Sequence, residues 1–151
     1  MDPAADLHEQ LLAAHVAVAR RSADAGPRLQ RLDSLLIDAQ GISGGAQTTA
    51  NTLLAELWER SDAPQRALEA SRRAQLGPDM NWLASTRARR DARLLERLGR
   101  PREAIAQLRR YVSLRAKAEP PLQADLAAAK ATLRSESAYR RGPVRTISWL
   151  L

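Results

Sequence analysis

The sequence predicts an all-α protein built from three helical hairpins stacked in order, with a closing helix at the C-terminal end. Three observations carry this. The stretch 55–73 recurs at 92–110, a step of 37 residues without a gap. Ala55 falls on Ala92, Leu57 on Leu94, Glu59-Arg60 on Glu96-Arg97, Pro64 on Pro101, Ala67 on Ala104, and Arg72-Arg73 on Arg109-Arg110. The same step backwards takes Pro64 to Pro27 and Ser71 to Ser34. A repeat of this length marks similar units whose cores form between neighbours. Apolar residues also recur at helical spacing almost throughout, with no convincing strand alternation. Finally, Phe is absent and only three Trp and two Tyr occur. Ala and Leu must therefore fill the interior, which suits closely packed helices better than a sandwich or barrel.

The elements follow in order. Leu7, Leu11, Leu12, Ala14, Val16 and Val18 give a first helix ending near Ser22. Ala25-Gly26-Pro27 interrupts it, and Pro27 can open a second helix through Leu29, Leu32, Leu35 and Leu36. Gly41-Ile42-Ser43-Gly44-Gly45 reads as a loop, because three glycines in five positions make a helix costly. A third helix runs from about Gln47 to Arg60. Asp62 is a candidate cap for the fourth, which has Pro64 in its first turn and reaches about Gln75 before Gly77-Pro78. The fifth covers about Asn81 to Leu98, with Asp79 a candidate cap. Gly99 supplies a left-handed stop, and Pro101 opens the sixth helix, to about Ala118. Pro120-Pro121 leads into an Ala-rich seventh helix ending near Ser137, followed by a tail whose Ile147, Trp149, Leu150 and Leu151 are apolar. Helices joined by so few residues must pair antiparallel.

These units resemble the tetratricopeptide repeat (TPR) family. The family pattern sets large apolar residues and a small one on the first helix of each unit. Ala, an aromatic or apolar residue, Ala again and a closing Pro follow on the second. The second unit has Leu54, Ala55, Trp58, Ala67, Ser71, Ala74 and Pro78; the third has Ala92, Leu95, Ala104, Leu108, Tyr111 and a late Pro120. Ala55, Ala67 and Ala74 allow close helix contact, while Trp58 and Leu68 fill the space between units. The chain departs from the pattern in its longer period, in Asp91 where the family has Leu, and in Ser71 where it has an aromatic. The resemblance implies one domain over residues 1–151 and a right-handed superhelical stack. Its repeats lie at about 7–40, 47–78 and 81–118, with a capping helix at about 120–137 and a tail from 138.

The net charge of +7 is carried by 22 Arg and only 2 Lys, a bias that a GC-rich bacterial genome also produces. Residues 60–115 hold 14 Arg against 6 acidic residues, so the charge is concentrated there. Such a surface attracts nucleic acid, anionic lipid or an acidic protein segment. No apolar run approaches membrane-spanning length and no basic-then-apolar leader is visible, which predicts a cytoplasmic protein. Cysteine is absent, excluding disulfides and Cys-based zinc sites.

Motifs for catalysis are weak. Gly41–Gly45 matches G-x-S-x-G, but that elbow needs a strand before Ser43 and its partner His later in the chain. Here a helix precedes it, and both histidines come earlier. His8 and His15, seven apart, lack the i, i+4 spacing of a helical metal pair. No phosphate-cradling loop is present. The reading is therefore of a non-catalytic scaffold or adaptor without cofactor or metal.

The resemblance implies that the first helix of each unit lines a concave groove. That assigns partner contacts to Thr49, Thr52, Glu56 and Glu59 in the second unit and to Thr86, Arg89, Arg93 and Glu96 in the third. The 37-residue step adds Leu12, His15 and Ala19 in the first. Arg89 and Arg93 are placed to fork-bond carboxylates of an acidic peptide. Arg72-Arg73 and Arg109-Arg110 fall on second helices and read as an exposed convex face. Two alternatives stay open: a basic helical nucleic-acid-binding protein, and a regulatory module of a larger bacterial regulator or kinase.

Overall fold

A computed structural model describes residues 3–38, 44–77, 80–116 and 122–141. They form α1 (Pro3–Ala19), α2 (Ala25–Ile37), α3 (Gly44–Arg60), α4 (Pro64–Arg73), α5 (Asn81–Arg97), α6 (Pro101–Leu114) and α7 (Gln123–Arg141). There is no strand among the described residues, so the protein is all-α. Each helix packs on the next in the chain, and α1 also touches α3.

Three turns join α1 to α2, α3 to α4 and α5 to α6, and they share one geometry. A left-handed residue stands just past each first helix: Arg21 at φ 52°, Asp62 at φ 59° and Gly99 at φ 67°. The following amide reaches back five residues, Ser22 to Ala17 O, Ala63 to Trp58 O and Arg100 to Leu95 O, at 2.9–3.0 Å. This is the Schellman closure, which satisfies carbonyls that the helix end would leave bare. Pro64 and Pro101 then occupy the first turns of α4 and α6, where no amide donor is required.

The turns correct two expectations. Asp62 does not cap α4: the cap position belongs to Ala63, which makes no side-chain bond. Asp62 is instead the left-handed residue, and its carboxylate pairs with Arg97. The 37-residue step also fails in the first hairpin. Asp62 and Gly99 stand 37 positions apart, but Arg21 and Asp62 stand 41 apart. Counting from the turns, the counterparts of Thr49, Thr52 and Glu56 on α1 are His8, Leu11 and His15.

Other boundaries shift by a few residues. α1 stops at Ala19, α4 at Arg73 and α6 at Leu114, short of the expected ends, while α7 runs beyond Ser137. Gly44 and Gly45 lie in the first turn of α3 and not in a loop. The Ser43 motif position, Asp79, Pro120-Pro121 and the tail from 142 lie outside the described residues.

The interior divides into two clusters. The larger joins α1 to α5, reaches Ala104 on α6, and includes Leu29, Leu32, Leu54, Trp58, Leu68, Leu94 and Leu95. The smaller holds Ala88, Ala92, Ile105, Leu108, Tyr111, Leu126 and Ala129. Helices α5 and α6 contribute to both. Burial of each Leu contributes about 1.5–3 kcal/mol. The identical pairs Ala55/Ala92, Leu57/Leu94 and Ala67/Ala104 are all buried, so what repeats apolar is framework.

Polar groups cross between hairpins as well. Asp33 on α2 is buried and accepts from Arg73 on α4, whose Nε also donates to Asn51 Oδ1 on α3 at 3.1 Å. Arg66 approaches the same carboxylate at 3.5 Å and lies over the Trp58 ring. Arg73 is therefore half-buried and structural, which corrects its reading as an exposed convex residue. Arg72, Arg109 and Arg110 are exposed as expected.

Candidate functional site

A concavity lined by several charged groups lies on α5. Steps of three and four residues along this helix place Thr86, Arg89 and Arg93 in one row, with Arg90 beside them. Thr86, Arg89, Arg90, Arg93, Tyr111, Arg115, Leu122 and Asp125 line a cavity of about 200 Å³. Helix α6 supplies Tyr111, the turn after it Arg115, and α7 the carboxylate.

Arg89 forks onto Asp125: Nε lies 3.0 and 3.1 Å from the two carboxylate oxygens, and Nη2 lies 2.7 Å from Oδ1. The Tyr111 hydroxyl donates to Asp125 Oδ2 at 2.7 Å, and Arg89 also lies 5.9 Å from the Tyr111 ring centre. These donors hold the Asp125 carboxyl below its usual range, the Arg89 bond being the largest cause. The same bond raises Arg89. Burial, then the bond to Asp125, raises the Tyr111 phenol.

The neighbouring cations are less well matched. Arg90 is largely covered and donates to Thr52 O at 3.2 Å, but stands 3.6–3.7 Å from Glu59 and Glu56. Arg93 is half-exposed and reaches Glu59 at 3.4 Å. Arg115 Nε is shielded from solvent and has no acceptor among the described residues. The site thus offers four guanidinium groups around one fully engaged carboxylate, with Glu56 and Glu59 at its edge.

Of the residues expected to meet a partner, Thr52, Glu56, Thr86, Arg89 and Arg93 come together along α3 and α5. The hydroxyls of Thr49 and Thr52 bond back to Gly45 O and Thr48 O within their own helix. Thr49 lies further along, where α1 and α3 form a second cavity of about 250 Å³ with Leu7, His8 and Leu11. His15 is exposed on α1 and lines neither cavity. Leu12 lines a different cavity, with Val16, Arg20 and Arg28 of the first hairpin. Reading the sequence for groove residues misses Arg90, Tyr111, Arg115 and Asp125. Arg90 is visible as part of the Arg run; Asp125 carries no local signal, because its partner lies 36 positions away.

No group of three His or acidic residues suited to a metal occurs among the described residues, and no helix among them is long and apolar enough to cross a membrane. Comparison with protein-family models, curated proteins and solved structures finds no match to this chain.

Proposed function

We propose that this chain is a non-catalytic interaction module of tetratricopeptide-like hairpins that binds an acidic peptide segment along the α1–α3–α5 side. The observation that carries the reading is the arginine-lined cavity on α5, where a carboxylate is already held in a two-pronged grip by Arg89. Planar guanidinium groups recognise carboxylates in this way with both charge and geometry. The separate cavity lined by His8, Leu11 and Thr49 between α1 and α3 gives a second place for the segment to seat a side chain.

The test is binding of a fluorescein-labelled acidic decapeptide by anisotropy, with the intact chain and with Arg93→Glu. Arg93 is half-exposed and its one ion pair is long, so the variant keeps the fold. Loss of affinity of about tenfold or more supports the reading. Unchanged affinity removes Arg93 from the site. The basic surplus also suits nucleic acid, and a steep salt-dependent affinity for generic RNA exceeding that for the peptide would favour that reading instead.

A further inference from the structure

Asp125 belongs to α7, yet it fills the carboxylate position of the cavity on α5. We propose that Asp125 is a displaceable internal ligand, so that α7 latches the arginine site shut until an Asp or Glu of the bound segment takes its place. This inference rests on the reading of the site as an acidic-peptide groove.

Three features argue for a latch over a plain structural tie. Asp125 satisfies Arg89 and Tyr111, the donors an incoming carboxylate would need. Arg90 and Arg93 nearby remain in long pairs, and Arg115 Nε has no acceptor among the described residues, so the site holds more donors than Asp125 can use. The rest of α7 has few apolar anchors: Leu126 and Ala129 are buried, Leu133 is partly so, Ala127, Ala128 and Ala131 are exposed, and its Glu136 stands in a long pair with Arg109 at 3.7 Å. A competing carboxylate therefore has little apolar contact to overcome.

The experiment uses the full chain and a fluorescein-labelled hexaglutamate peptide, read by anisotropy and by amide hydrogen exchange of α7. Asp125→Asn removes the internal charge and keeps the shape. If the latch is closed about nine-tenths of the time, this variant binds about tenfold tighter than the wild type, because apparent affinity scales with the open fraction. Glu69→Gln, the same charge change on the exposed face of α4, leaves affinity unchanged. Tyr111→Phe removes one donor to Asp125 and tests the latch without changing charge; it raises α7 exchange. Saturating peptide also raises α7 exchange in the wild type. Equal affinity of folded wild type and Asp125→Asn overturns the latch and leaves the groove reading standing. Binding with α7 protection unchanged overturns it too. No binding by any of the proteins removes the groove reading, and the latch with it.

Discussion

Replacing Arg73 by Met tests whether the polar clamp between the first two hairpins holds them together. Arg73 donates to Asp33 and, through Nε at 3.1 Å, to Asn51. Asp33 is 5 % exposed and Asn51 1 % exposed, so neither recovers these bonds from water. Removing one partner of a buried pair costs about 3–5 kcal/mol. Arg66, at 3.5 Å and half-exposed, still faces Asp33 and places the expected cost near the lower end, about 3 kcal/mol. For a chain of this size each kcal/mol shifts Tm by about 2–4 °C, so Arg73→Met lowers it by about 10 °C. Adding Asp33→Leu removes the stranded charge and restores most of the loss, since buried pairs exchange for apolar groups at little net cost. Thermal unfolding followed by circular dichroism gives both numbers. A drop under about 2 °C for the single variant, or a double variant no better than the single, refutes the argument.

Other predictions concern the turns, the buried acid and the core. Gly99→Ala meets no steric obstacle but forces a side chain into the left-handed region, and lowers stability by about 1 kcal/mol in urea denaturation. Asp62→Gly at the equivalent turn is neutral or slightly stabilising, because the lost pair with Arg97 is exposed. Asp91 is buried, accepts from Ser71 Oγ at 2.6 Å, and burial raises its carboxyl above the usual range. Its protonated form therefore suits the fold: the stability it contributes is full below the usual carboxylate value and is lost as pH rises through the raised one. Asp91→Asn removes that loss, so the variant gains on the wild type in Tm as pH rises above the usual carboxylate range. Leu94→Ala, at a fully buried position, costs about 3 kcal/mol in the same denaturation assay.

The helices are legible in the sequence because their signals are local. Pro64, Pro101 and Gly99 mark α4, α6 and the end of α5 by backbone constraints that no distant contact alters. Asp62 misleads because a cap and a left-handed stop favour the same residue type one position apart. The first hairpin falls out of register because the distance from its turn to the next is longer, and a step measured between the later units cannot reveal that. The site is half legible. The Arg row on α5 is a pattern within one helix, whereas Arg73–Asp33 and Arg89–Asp125 join residues 40 and 36 positions apart and exist only once the hairpins have packed.

Helix α5 gives Leu94 and Leu95 to one core and Ala88 and Ala92 to the other. Helix α6 likewise gives Ala104 to the first and Ile105, Leu108 and Tyr111 to the second, so α7 should lose protection against exchange before α5 and α6, which open with the rest. Pulled from its C-terminal end, the chain would yield first at α7, leaving the α5–α6 hairpin still joined to the larger core.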